Sequence, residues 1–242
     1  MNLIIDVGNT NVKLAVFKED SLLFLDIIQG EDLEKKAKNI FKEFPEIKDS
    51  ILSSVGNLSN KDLEFLKRQT KVHVLNADSK VAFVNKYATP KTLGVDRIAL
   101  AMAAVTLFPK KNALIIDAGS CVTYDFVDSN GDYLGGAISP GVQMRYKALY
   151  SLTSKLPLLE KEDILSFIGN STETSIHSGV VNGISLEIDG VINQYKTRFK
   201  DLTVILTGGD THFLSKRLKN TIFADSKFLL KGLNHLLEYN KH

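Results

Sequence analysis

The chain has 242 residues, with 30 Lys and Arg against 28 Asp and Glu, a net charge of +2. That balance excludes a composition built for polyanions and gives no case for nucleic acid or an acidic membrane surface as a partner. Hydrophobic residues at 44% and charged residues at 24% are the mix of a globular protein with room for one or two buried cores, while a single cysteine, Cys121, excludes an intramolecular disulfide and a cysteine-only metal site.

The amino terminus enters an apolar strand, Leu3 to Ile5, without a basic leader or a bilayer-length apolar run, so the cytoplasm is the expected compartment. The strand ends in Asp6. Gly8 lets the backbone turn tightly and approach a ligand closely. Asn9, Thr10 and Lys13 add small hydrogen-bonding groups and a compact positive charge. A second apolar run, Leu14 to Phe17, completes a hairpin. Its turn suits a phosphate chain with a metal held by Asp6 directly or through water. The same residues also make an ordinary tight turn, and the hairpin alone leaves both readings open.

Ser21 to Ile28 reads as a further strand. From Asp32 to Phe44, apolar Leu33, Ala37, Ile40, Phe41 and Phe44 recur at helical spacing, with Lys35, Lys36 and Lys38 on the solvated face. Ile51 to Val55 predicts a strand, Lys61 to Gln69 a helix, and Val72 to Leu75 another strand. Alternation of this kind argues for α/β layers. The segment Asn85 to Arg97 is a loop punctuated by Pro90 and Gly94, and Ile98 to Phe108 behind it is a buried, Ala-rich helix. Asp96 then falls in or near a helix's first turn, where a carboxylate is a good cap. Arg97 at the same place opposes the dipole, which points to a partner or a ligand. Tyr87, Pro90 and the Asp96–Arg97 pair so close together describe a substrate loop as well as they describe a capped helix.

The opening then recurs. Leu114-Ile115-Ile116-Asp117-Ala118-Gly119-Ser120 repeats Leu3-Ile4-Ile5-Asp6-Val7-Gly8-Asn9 at an offset of 111, and the register extends to Val16 and Val127. Two strand–Asp–X–Gly hairpins mark a duplicated domain. In this the chain resembles the actin-like ATPase superfamily, in which two ribonuclease-H-like lobes close on ATP and the phosphates lie between the hairpins. The resemblance implies an α/β fold of two duplicated lobes with mixed sheets flanked by helices. Lobes 1–111 and 112–242 are expected, without a Gly/Ser or Pro-rich linker.

Farther on, Asp128 to Asp132 closes a hairpin. Gly135, Gly136 and Gly141 surround Pro140 and allow close backbone approach or tight packing. Thr172 to Phe199 reads as one long helix despite Gly179, Gly183 and Gly190, each of which costs up to about 1 kcal/mol relative to Ala. Close packing against a partner chain would account for them. The strand Val204 to Leu206 runs into Thr207-Gly208-Gly209-Asp210, and Thr211 to Leu218 starts a helix. The amphipathic Phe228 to Tyr239 is expected to pack on the second lobe. The five histidines show no metal-ligand spacing. Neither a Walker A loop nor a Gly-X-Gly-X-X-Gly fingerprint is present.

Taken together, Asp6 to Lys13, Asn85 to Arg97, Asp117 to Asp125, Gly135 to Gly141, Asn170-Ser171-Thr172 with Ser178-Gly179, and Thr207 to Asp210 resemble the type III pantothenate kinases. The Leu93-Gly94-Val95-Asp96-Arg97 run is the specific element. Ser120 and Cys121 stand where that family usually has Thr and Ala; Ser keeps the hydroxyl. The resemblance implies transfer of the ATP γ-phosphoryl group to pantothenate, the first step of coenzyme A synthesis, by a homodimer whose acceptor pocket involves the subunit interface. It further implies that Asp6 organises Mg²⁺ and its waters, and that Gly8, Asn9, Thr10, Lys13, Ser120, Gly208 and Gly209 hold the nucleotide. Asp117 would serve a K⁺ or NH₄⁺ site. Tyr87, Gly94, Val95, Asp96, Arg97 and Thr172 would bind pantothenate, with Asp96 as proton acceptor. The rival readings are a sugar or carboxylate kinase of the same superfamily, an accessory factor for transcription, and a filament-forming or chaperone-like ATPase.

Overall fold

The computed structural model describes residues 1–242 except 9, 10, 30–32, 55–57, 165 and 242. The chain divides into two compact units, the first made of Met1–Pro109, Gly131–Tyr133 and Lys227–His242, the second of Lys110–Asn130 and Leu134–Ser226.

In the first unit, β1 (Asn2–Val7) and β2 (Val12–Lys18) form the expected hairpin, followed by β3 (Ser21–Ile28), α1 (Leu33–Glu43), β4 (Asp49–Ser54), α2 (Asn60–Gln69) and β5 (Lys71–Val74). The sheet order is β3-β2-β1-β4-β5. β1 is buried along its whole length, which is why it reads as a continuous apolar run. Its odd residues Leu3, Ile5 and Val7 join a core with Leu33, Ala37, Ile40 and Leu66. Side chains alternate across a strand, so Asn2, Ile4 and Asp6 point to the opposite face. A two-residue strand β6 (Val84–Asn85), a 3₁₀ turn at Pro90–Thr92 and α3 (Val95–Leu107) complete this part of the chain.

The second unit repeats the plan. β7 (Ala113–Ala118), β8 (Cys121–Val127) and β9 (Asp132–Pro140) are followed by α4 (Val142–Ser151), α5 (Thr172–Arg198), β10 (Thr203–Thr207), α6 (Thr211–Ser215) and β11 (Phe223–Ala224). Its sheet runs β9-β8-β7-β10-β11, with β6 added beside β9. In both sheets a hairpin is followed by strands that pair in parallel, β4 on β1 and β10 on β7. A shared strand order and shared pairing senses are strong evidence of duplication. One detail of the repeat differs from its reading in sequence. Residues 8–11 lie between the paired Val7 and Val12, whereas only 119–121 lie between Ala118 and Val122. The second turn is one residue shorter, so Leu114 pairs with Phe126 although Leu3 pairs with Val16, and Val127 is not the partner its offset predicts.

The last helix, α7 (Phe228–Asn240), corrects a second expectation. It packs on α3, β1 and β4 of the first unit, not on the second lobe. A Cβ at Gly232 would overlap the carbonyl of Ala99, so the two helix backbones nearly touch. Asn234 accepts from the Asn2 side chain at 2.7 Å, which ties α7 to the even face of β1. Amphipathicity announced a buried face but not the element that buries it. α6 also ends earlier than expected, at Ser215. Beyond it, the carboxylate of Asp189 on α5 takes the backbone N–H groups of Lys219 and Asn220 and draws the chain off the helical path.

Candidate active site

The first half of the site is set by strand register. Asp6, at the carboxyl end of β1, stands directly opposite Lys13 on β2 and Ser53 on β4. Directly opposed residues share a face of the sheet, so carboxylate, ammonium and hydroxyl lie in one row. Asp6 is 6% exposed and ion-paired to Lys13 at 3.5 Å. Burial raises its carboxyl above the ordinary carboxylate range. The charge and hydrogen bond of Lys13 and the hydroxyl of Ser53 pull it back, while the negative charge of Asp96 pushes it up. That coupling brings together two aspartates 90 positions apart in sequence. It arises because α3 and α7 pack together in the unit whose β1 carries Asp6. At the turn, the Gly8 N–H donates to the carbonyl of Asn11 at 3.0 Å, and Asn11 Oδ1 is buried with no hydrogen-bond partner among the described residues. Asn9 and Thr10 lie outside the described residues.

Asp96 sits in the first turn of α3, behind Gly94 at the N-cap. Its Oδ1 accepts the Arg97 backbone N–H at 2.9 Å, so it meets a first-turn N–H of the helix although Gly94, not Asp96, is the N-cap. That contact engages one oxygen only. A Cβ at Gly94 would overlap Asp96 Oδ1, which makes the glycine a condition for the carboxylate's position. Arg97 is 5% exposed, and its guanidinium carbon lies 5.5 Å from the centre of the Tyr87 ring. A buried cation over an aromatic face is partly compensated by the ring quadrupole. Tyr87, Gly94, Val95, Asp96 and Arg97 therefore gather around one helix start.

In the second unit, Asp117 occupies the place of Asp6, flanked by Thr123 on β8 and Thr207 on β10. The turn after β10 is pressed onto it. Gly208 has φ +94, a conformation that glycine alone adopts freely, and a Cβ there would overlap Asp117 Oδ1 and the Ala118 carbonyl. The Asp210 N–H donates to that same carbonyl at 2.9 Å, and the Asp210 carboxylate is ion-paired to Lys161. Among the described residues, its chain neighbours aside, nothing lies within 4 Å of a Cβ placed on Gly209. The Thr207 hydroxyl is buried with no partner among the described residues. Ser120 is exposed in the second turn. Thr172 is the exposed first residue of α5, whose capping box is made by Ser171 and Thr174 instead.

Each unit's donor set fits phosphate oxygens and the divalent cation that accompanies them. The first offers an acid with a lysine beside it; the second offers an acid, an unmet hydroxyl and open space beside Gly209. Among the described residues no cluster of three or more His, Cys, Asp or Glu stands ready for a metal. A cation that arrives with phosphates needs only one or two carboxylates. Sequence reasoning assigned no role to Ser53 or Lys161, and placed Thr207 only within the Thr207-Gly208-Gly209 run that the resemblance sets against the nucleotide. Thr207 was visible beside Gly208, but Ser53 becomes a neighbour of Asp6 only through β1–β4 pairing.

A family model described as type III pantothenate kinase matches residues 2–194. A type III pantothenate kinase of Flavobacterium johnsoniae is 49% identical over 239 residues, covering 99% of this chain and 98% of the relative. One from Christiangramia forsetii is 51% identical over 243 residues, covering 100% and 99%. Among solved structures, a Campylobacter jejuni protein described as a Baf family transcriptional activator matches with TM-score 0.61 at 25% identity, over 98% of each chain. A glucokinase from an Antarctic psychrotroph matches with TM-score 0.53 at 12% identity over 98% of each chain, and shares the fold.

Proposed function

The chain belongs to the type III pantothenate kinase family, and from that premise we propose that it moves the γ-phosphoryl group of ATP onto the primary hydroxyl of pantothenate, giving 4'-phosphopantothenate for coenzyme A synthesis. One observation carries the residue assignment. The buried Asp6 is paired to Lys13, and Asp96, in the same unit, is fixed over Gly94 by the Arg97 N–H.

ATP supplies the transferred group, and a divalent cation offsets the charge on its phosphate oxygens. Asp6 holds that cation directly or through water, with Lys13 and the Gly8, Asn9, Thr10 turn around the phosphates. Ser120, Gly208 and Gly209 complete the nucleotide's contacts. Asp117 serves a K⁺ or NH₄⁺ site, since a carboxylate beside phosphates gains from a positive neighbour. Tyr87, Gly94, Val95, Arg97 and Thr172 hold pantothenate, with the Arg97 fork suited to its carboxylate. Asp96 takes the hydroxyl proton on Oδ2, because Oδ1 is engaged by the Arg97 N–H. A base must stand within hydrogen-bond reach of the proton it removes, and a side chain clamped by its own helix start is well placed to do so. The homodimer and a cytoplasmic site of action belong to the same reading.

The test is direct. Purified protein with ATP, Mg²⁺, K⁺ and pantothenate should form phosphopantothenate, detected by mass. Absence of product across varied cations and pH would overturn the reading.

A further inference from the structure

Tyr133 lies 46 positions after Tyr87 in sequence, yet its segment Gly131–Tyr133 groups with the first unit while the chain on either side groups with the second. The segment clasps the start of the acceptor loop. Val84 N–H donates to the Gly131 carbonyl at 3.0 Å and Lys86 N–H to the Tyr133 carbonyl at 2.9 Å. Lys86 Nζ lies 3.8 Å from the Asp132 carboxylate. The next residue is Tyr87, whose own N–H is fixed by Asn85 Oδ1 at 3.0 Å. The rings continue what the backbone begins. Tyr133 packs against Phe83 at 5.9 Å and against Tyr87 at 6.2 Å, with an interplanar angle of 44° to the latter. Tyr87 in turn carries the Arg97 guanidinium. Tyr133 is fully buried, with 0% exposure, so it touches no substrate. Its ring meets the site at the Tyr87 ring.

We infer that Tyr133 is a positioning residue for pantothenate binding: its ring sets the place of Tyr87, which sets the Arg97 guanidinium. This rests on the reading of Tyr87 and Arg97 as acceptor-binding residues, and the experiment separates the two. An aromatic pair contributes an increment that converts to about 2- to 10-fold in affinity. Tyr133→Leu should therefore raise the pantothenate KM about 2- to 10-fold, with kcat and the ATP KM at parent values. Tyr133→Phe keeps the ring and should hold the pantothenate KM below that of Tyr133→Leu. Tyr87→Leu should raise the pantothenate KM at least as far, and the Tyr87→Leu/Tyr133→Leu pair no farther than Tyr87→Leu alone.

A parent pantothenate KM in Tyr133→Leu, with a raised one in Tyr87→Leu, overturns the positioning role and leaves the acceptor site standing. A parent KM in Tyr87→Leu overturns the acceptor reading itself. Equal rises in both substrates' KM, or additive effects in the double variant, also overturn the inference, since loose packing would produce them without any chain of rings. If Tyr133→Leu does not fold, Tyr133→Met, whose flexible unbranched side chain adapts to irregular gaps, takes its place in the cycle, where the same KM changes support or overturn the positioning role.

Discussion

Gly94→Ala tests the geometry around Asp96 without removing any functional group. Gly94 has φ −57 and ψ 137, which an alanine adopts without strain. The new Cβ would lie 3.5 Å from Asp96 Cγ and 3.8 Å from Arg97 Cγ, ordinary contacts, yet would overlap Asp96 Oδ1. Relief requires that oxygen to withdraw by about 1 Å, given normal van der Waals separations. The movement weakens its bond to the Arg97 N–H, worth about 0.5–1.5 kcal/mol, and alanine is a poorer N-cap than glycine. Against this, replacing glycine in a compatible conformation stabilises by about 0.4–1 kcal/mol through the unfolded chain. The terms nearly cancel, so the melting temperature should move by no more than about 4 °C. Turnover is more sensitive, because a reacting group displaced by about 1 Å can cost ~10²-fold. Steady-state kinetics with pantothenate and ATP varied separately, beside melting curves, give the comparison. The expected result is a folded protein with kcat down ~10²-fold and the ATP KM unchanged. A parent kcat would refute the idea that Asp96 must be held where Gly94 allows it, and a matched loss of ATP affinity would show general disruption instead.

Asp96→Asn should keep the fold, since its carbonyl oxygen can still take the Arg97 N–H, but should lower kcat by about 10²–10⁴; a near-parent rate would reduce Asp96 to a partner of the helix's first turn. Asp6→Asn should lose turnover yet melt higher at neutral pH, because burial raises the Asp6 carboxyl and so ionising it opposes folding. The parent loses that stability as pH rises from the unfolded value near about 3.9 through the raised folded value. The advantage of Asn should therefore open across that window and vanish below it. A melting difference that does not change with pH would contradict this. Turnover should rise when Na⁺ is replaced by K⁺ or NH₄⁺ if Asp117 serves a monovalent cation, and equal rates in all three salts would refute that. The solution mass should be about twice the 26.8 kDa of the chain, with activity lost on dilution to monomer; a fully active monomer would exclude a shared acceptor pocket.

The amino-acid sequence by itself determined the local elements and the chemistry placed at their ends. The run from Leu3 to Ile5 is apolar on both faces because β1 is central to its sheet, and it stops at a carboxylate, Asp6, and a glycine turn. The Ala-rich α3 and the loop before it were legible from spacing, as was the repeated strand–Asp–X–Gly pattern. Such features depend on neighbours in the chain, which a one-dimensional string records. Only the tertiary structure decided which distant groups meet. Ser53 stands beside Asp6 and Thr207 beside Asp117 through parallel pairing, whose register no local pattern states. Tyr133 reaches the loop that carries Tyr87 from the other half of the sequence. The last helix displays an apolar stripe that would suit either unit, and it lies on α3 because Gly232 lets its backbone come close to Ala99 and Asn234 meets Asn2. Burial of an apolar stripe is nondirectional, so the stripe names no partner; close steric fit and paired polar groups do.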